Sequence, residues 1–139
     1  DIIYEAHLDI LQPDISHVGG IMEAKKIAAW AEASDMMMAI HCPLGPISFS
    51  AALQFDFCTS NALIQETSMG IHYNKGDIDL LTYVLNKEDF KVEDGFIKKN
   101  NKPGLGIEID EYAVKEMAKV GHSWKNPVWR NADGSFSEW

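Results

Sequence analysis

Long apolar runs are missing from this sequence. None approaches the roughly 20 residues that a bilayer-spanning helix needs, and the first ten residues, DIIYEAHLDI, contain no basic stretch followed by a hydrophobic one. The expectation is a soluble chain, neither secreted nor membrane-bound. Positive charge is also scarce. Twelve Lys and Arg stand against 21 Asp and Glu, for a formal net charge of -9. A protein that binds a phosphate backbone gathers basic residues on one face, so nucleic acid is not an expected partner. There are only two cysteines, Cys42 and Cys58, without metal-ligand spacing. With six readily oxidised methionines beside them, they point to a reducing, cytoplasmic setting. There is no low-complexity segment.

What is there suffices for one compact domain: 139 residues, 46% of them hydrophobic. From Asp9 to Glu66, short apolar runs that end in Gly, Pro or polar residues alternate with longer segments of helical spacing. This alternation is the mark of βα units. Residues 8–12 (LDILQ) read as a buried strand stopped by Pro13. Residues 36–40 (MMMAI) read as a second strand, and residues 62–65 (ALIQ) as a third. Between the first two, residues 20–34 predict an amphipathic helix with Ile21, Ala24, Ile27, Ala28 and Ala31 on one face. Residues 47–57 predict another, with Phe49, Ala52, Leu53 and Phe57 at helical spacing. Further on, residues 77–86 read as a short helix. Residues 90–98 read as a hairpin turning at Asp94-Gly95, residues 102–106 as a loop, and residues 111–120 as a helix capped by Asp110.

Each of the three strands delivers an ionisable residue at its C-terminal end: Asp14, His41 and Glu66, at intervals of 27 and 25 residues. A (β/α)8 barrel repeats every 30 residues or so and assembles its active site from the C-terminal ends of its strands. Neighbouring strands lie about 4.8 Å apart, so an Asp on one reaches a His on the next. A carboxylate bound to one ring nitrogen fixes the tautomer and makes the other nitrogen a better base. Taken singly, a histidine near a strand end is more often structural, and an Asp after Pro commonly caps a loop. Their joint occurrence at the barrel period favours function, although an open doubly wound sheet would also place residues at strand ends.

Other candidates carry less. His41 and Cys42 are adjacent and so point to opposite faces of a strand, which argues against a thiol with a neighbouring base. Gly104-Leu105-Gly106 is half of a dinucleotide fingerprint, in the wrong context, and reads as a turn. Gly19-Gly20 precedes a helix and is open to two readings, an anion cradle as in a flavodoxin-like domain or a tight βα turn. His17 shares the loop of Asp14 and is a candidate substrate-binding residue. His7, His72 and His122 show no ligand spacing.

The stretches QPDISHVGG (12–20), AIHCPLGP (39–46), NALIQE (61–66), PGLGIEID (103–110) and NPVWRNADGSFSEW (126–139) together resemble the C-terminal third of the sugar-acid dehydratases in the mandelate racemase group of the enolase superfamily. The resemblance covers nearly the whole chain. It implies an α/β fold: the C-terminal part of a modified TIM barrel, (β/α)7β. Residues 1–82 would be its last three βα units, and residues 83–139 a C-terminal segment that packs towards a capping domain.

It further implies a hydro-lyase that acts on a six-carbon aldonic acid of the galactonate type and gives a 2-keto-3-deoxy acid. His41 would be the general base that removes the proton alpha to the carboxylate, Asp14 its dyad partner, and Glu66 the group that binds the substrate carboxylate and its enediolate. Mg2+ would stabilise that dianion. Its ligands in the family lie on earlier strands than these, so no metal ligand is expected in this chain, which reads as part of a longer protein or as one completed by another polypeptide. A homo-oligomer is implied for the complete protein. Dehydratases or racemases of other acid sugars, such as mannonate or gluconate, share the dyad. A non-catalytic barrel fragment is the reading from another class, because three strands cannot close a barrel.

Overall fold

A computed structural model describes residues 2–5, 7–43, 45–69, 81–120 and 130–135. After a single helical turn, α1 (Ile2–Glu5), the chain enters β1 (Ile10–Leu11), α2 (Ile21–Glu32), β2 (Met37–Met38) and α3 (Pro46–Asp56). β1 and β2 pair in parallel, with Ile10 opposite Met37 and Leu11 opposite Met38. The connecting α2 packs on β2 and on α3, as a parallel crossover requires.

The expected faces explain how α2 sits so close. Ala24, Ala28 and Ala31 are buried, a stripe of small side chains one helical face wide, and Ile21 and Ile27 flank it half-buried. At α3 the expectation holds for Phe49, Ala52 and Leu53 but fails for Phe57, which is exposed, while Phe55 is completely buried. The helix ends at Asp56, so Phe57 lies beyond the last turn. Phe55 belongs to a second buried side, because α3 has neighbours on more than one flank. Phe49 meets the Phe90 ring at 6.3 Å between centroids, and Lys25 of α2 lies over the Phe55 ring. The same Lys25 Nζ donates to the Cys58 carbonyl at 2.7 Å, satisfying an acceptor at the C-terminal end of α3.

The third strand is shorter than expected. Only Ala62 forms a parallel bridge, to Met38, through Met38 N–H to Asn61 O and Leu63 N–H to Met38 O. Beyond it, side chains take the ladder positions. The Gln65 amide donates to Ile40 O at 3.1 Å, and the Glu66 carboxylate accepts the Cys42 N–H at 2.8 Å. Among the described residues this segment pairs on one side, with β2, and Leu63 and Ile64 are exposed.

Residues 81–86 do not continue the helix expected over 77–86, of which 77–80 lie outside the described residues. Residues 81–83 form a turn, and Val84 bridges Ile109 antiparallel. That tertiary pairing, with Leu85 N–H on Glu108 O and Asp110 N–H on Tyr83 O, outweighs local propensity. A 3-10 turn (Lys87–Phe90) follows, then the hairpin of β3 (Val92–Glu93) and β4 (Phe96–Ile97). Its loop residues Asp94 and Gly95 both have positive φ, as a two-residue turn matching the strand twist demands. The turn expected at residues 102–106 is present, closed by Gly106 N–H on Pro103 O. α4 (Glu111–Val120) starts where Asp110 Oδ1 accepts the Ala113 N–H at 2.9 Å. Met36, Met38, Ile40, Phe49, Phe55, Val84 and Phe90 share one buried cluster.

One half-buried carboxyl works against this fold. Asp56 is the last residue of α3, where the helix dipole disfavours an anion, and its Oδ1 is buried without a partner. Burial pushes its carboxyl up to about 7. The folded state therefore holds a proton that the unfolded state releases near pH 4, and stability falls as pH rises from about 4 to 7. Asp56→Asn is expected to match the parent at pH 4 and to exceed it by about 1–3 kcal/mol at pH 8, the full shift being discounted for partial exposure. Denaturant titrations of both proteins at the two pH values check this; a difference independent of pH would contradict it.

Candidate active site

The register of β1 and β2 builds the site. Met37, Ala39 and His41 donate their N–H groups in turn to the carbonyls of Asp9, Leu11 and Pro13, at 2.9, 2.9 and 3.1 Å. The ladder thus runs past the strand ends and sets the His41 backbone beside that of Asp14. Pro13 contributes its carbonyl here but has no N–H to give in return, so the ladder ends at this point.

Asp14 is 8% exposed, and both of its oxygens are engaged. Oδ2 lies 2.9 Å from His41 Nδ1, and Oδ1 accepts the Ser16 N–H at 2.7 Å. The Asp14 carbonyl closes the turn by accepting the N–H groups of His17 and Val18. Burial by itself would push the Asp14 carboxyl up. The His41 bond, the Ser16 N–H and the nearby His17 and His41 charges outweigh it and hold the group below the ordinary carboxylate range. An ionised carboxylate facing Nδ1 requires the ring proton on Nδ1, which leaves Nε2 as the basic atom. The His41 side chain is 44% exposed, so the ring is anchored on one edge and open to solvent elsewhere.

Glu66 is half-buried, and its Oε2 is fixed by the N–H of Cys42, the residue after His41. Asp14, His41 and Glu66 therefore come together at one rim, as their spacing predicts. His17 is exposed on the Asp14 loop, where it acts on Asp14 through its charge. It does not line the adjoining open hollow of about 380 Å3, which is lined by Ser16, the first turn of α3 from Pro46 to Ser48, Tyr83 and Val114. Ser16 and Ser48 were not singled out by sequence reasoning. The one available signal is the Asp-x-Ser spacing, which favours a side chain to backbone turn. A second hollow of about 290 Å3 beside the hairpin is lined by charges that pair with one another, Lys91 and Lys98 both on Glu93. It holds none of the three strand-end residues.

Neither weaker motif gains support. Cys42 is buried with its Sγ 3.9 Å from Ser48 Oγ, while the His41 ring is bound to Asp14. Gly19 and Gly20 have φ of 101° and 97°, a left-handed turn open to glycine, and a Cβ on Gly19 would meet Glu23. The contact is with the Glu23 methylenes, and the Glu23 carboxylate itself pairs with Lys26, so the turn reads as a tight βα connection.

A divalent metal does not fit the residues described. Among them no group of three His, Cys, Asp or Glu side chains converges. Both Asp14 oxygens are occupied, and Glu66 is held by a backbone N–H. Magnesium prefers octahedral oxygen coordination, which this arrangement does not supply.

Parallel strand ends that present a His–Asp pair and a further carboxylate make up the candidate site of an α/β chain. The sequence profile described as enolase C-terminal domain-like matches residues 1–113, and the chain belongs to that family. Its α/β architecture is part of the superfamily's modified TIM barrel, (β/α)7β. Among curated relatives, a D-galactonate dehydratase of Variovorax paradoxus is 55% identical over 138 residues, 99% of this chain and 36% of that protein. This chain thus spans about a third of the relative's length. Among solved structures, an enolase from Agrobacterium radiobacter with bound Na and L-malate superposes with a TM-score of 0.79 at 31% identity, over 97% of this chain and 35% of the other. An enolase from Pantoea ananatis with bound D-gluconate and Mg gives 0.67 at 31% identity, over 83% and 26%. Among the described residues no helix is long and apolar enough to cross a membrane.

Proposed function

We propose that the complete protein is a sugar-acid dehydratase of the galactonate type, with His41 as the base that removes the proton alpha to the substrate carboxylate. The observation that carries this reading is the 2.9 Å bond between His41 Nδ1 and the buried Asp14, which leaves Nε2 basic on an exposed ring. The 55% identity to a D-galactonate dehydratase supports the substrate class.

In this mechanism His41 Nε2 takes the alpha proton, and Asp14 stabilises the imidazolium that results. Glu66 meets the substrate carboxylate. Its Oε1 is the oxygen left for the substrate, because Oε2 accepts from the Cys42 N–H. The β-hydroxyl then leaves as water, protonated by an acid outside the described residues, and the enol that remains takes up a proton at C3 to give the 2-keto-3-deoxy acid. A Mg2+ ion in the complete protein would draw its ligands from residues other than those described, and no step assigned to this chain passes through it. The same reading assigns residues 1–82 to the last three βα units and residues 83–139 to a segment packed towards a capping domain, in a cytoplasmic homo-oligomer.

The D-gluconate and L-malate bound to the related enolases favour a second reading, a dehydratase for another hydroxy acid. Assaying the complete protein with D-galactonate, D-gluconate and D-mannonate separates the two. The galactonate reading expects kcat/KM on D-galactonate to exceed the others by at least about 100-fold, a margin that polar contacts to substrate hydroxyls can supply. A preference for one of the other stereoisomers would reassign the substrate, and no turnover on any would reject the dehydratase.

A further inference from the structure

The three strand-end residues are joined by a second set of contacts that the proposed chemistry does not use. Ser16 N–H holds Asp14 Oδ1, and the Ser16 hydroxyl lies 2.9 Å from that of Ser48. Ser48 sits in the first turn of α3 and is also 3.9 Å from Cys42 Sγ. The Cys42 N–H in turn holds Glu66. A continuous path therefore runs from Asp14 through Ser16, Ser48 and Cys42 to Glu66.

Either serine would be replaceable if it were only a loop hydroxyl. Their mutual bond ties the loop after β1 to the start of α3, two segments separated by 32 residues. The ladder fixes the backbones of these strands but leaves the loop beyond Pro13 to its own turn. Moving Ser16 moves the N–H that orients Asp14, and so rotates the carboxylate against His41. An error of even 1 Å at a reacting pair costs up to about 100-fold in rate.

We propose that Ser16 and Ser48 form a positioning clamp that holds Asp14 in register with His41. The inference rests on the dehydratase reading for its kinetic consequence, but not for its geometric one. In the complete enzyme, Ser16→Ala, Ser48→Ala and the double variant are compared with Ser48→Thr, which keeps a hydroxyl. The readouts are kcat and KM on D-galactonate and the rate at which diethyl pyrocarbonate modifies His41, followed by peptide mass spectrometry.

Each Ala variant is expected to lose about tenfold in kcat with KM nearly unchanged, and to expose His41 to faster modification. The double variant should resemble the singles, because both remove one bond, and Ser48→Thr should restore the parent values. Unchanged kcat and unchanged His41 modification in both Ala variants would overturn the clamp. So would a rise in KM alone, which would assign the serines to substrate contact. Turnover that survives His41→Asn would instead remove His41 as the base, while no turnover by the parent on any sugar acid would remove the dehydratase reading; in either case the modification rates decide the clamp by themselves.

Discussion

His41→Asn in the complete protein is expected to lower kcat on D-galactonate by about 10³–10⁴-fold, the upper part of the range that a positioned general base contributes. Asparagine is the informative replacement. Its side-chain amide can donate to Asp14 Oδ2 as the ring nitrogen does, so the buried carboxylate keeps a partner. Only the second, basic nitrogen is lost. The thermal midpoint should therefore stay close to that of the parent, and a fall in activity with an intact midpoint would place the effect on chemistry. Activity within tenfold of the parent would remove His41 as the base.

Asp14→Asn is expected to cost about 10²–10⁴-fold in kcat by a different route. The asparagine oxygen can still accept the Ser16 N–H, so its amide nitrogen faces His41 Nδ1 and donates to it. The ring must then carry its proton on Nε2, which removes the base while leaving every heavy atom in place. The pH profile distinguishes this from a packing defect. In the parent, Asp14 is held below the ordinary carboxylate range and stays ionised throughout the neutral region. Its stabilising contribution is present above the unfolded carboxylate value near 4 and is lost only as pH falls through the lower folded value. The variant should lose that acid-side stability step while losing turnover at every pH. A variant that recovers full turnover at high pH would contradict the tautomer argument.

The parts of this site that the sequence discloses are those set by strand period and chain direction. Asp14, His41 and Glu66 follow apolar runs at the spacing of a barrel repeat, and parallel pairing then brings them to one rim. The alanine stripe of α2 and the Asp94-Gly95 hairpin are equally local in origin, and both were legible. What escaped depends on distant neighbours. Phe55 is buried because α3 is covered from more than one side, which a single helical stripe cannot reveal. Residues 81–86 give up helix for a bridge to Ile109. The third strand shrinks to Ala62 because Gln65 and Glu66 spend their side chains on ladder positions. Ser16 and Ser48 matter only as a pair brought together by the fold, and serine by itself carries no distinguishing signal.

The most direct test of the central claim is dehydration of D-galactonate carrying deuterium at C2, by the complete protein and by its His41→Asn variant. The account predicts formation of the 2-keto-3-deoxy acid by the parent, slowed by the deuterium because that bond breaks on His41, and formation by the variant slower by about 10³–10⁴-fold. Product formed by the variant at the parent's rate, or no product from the parent at all, would contradict it.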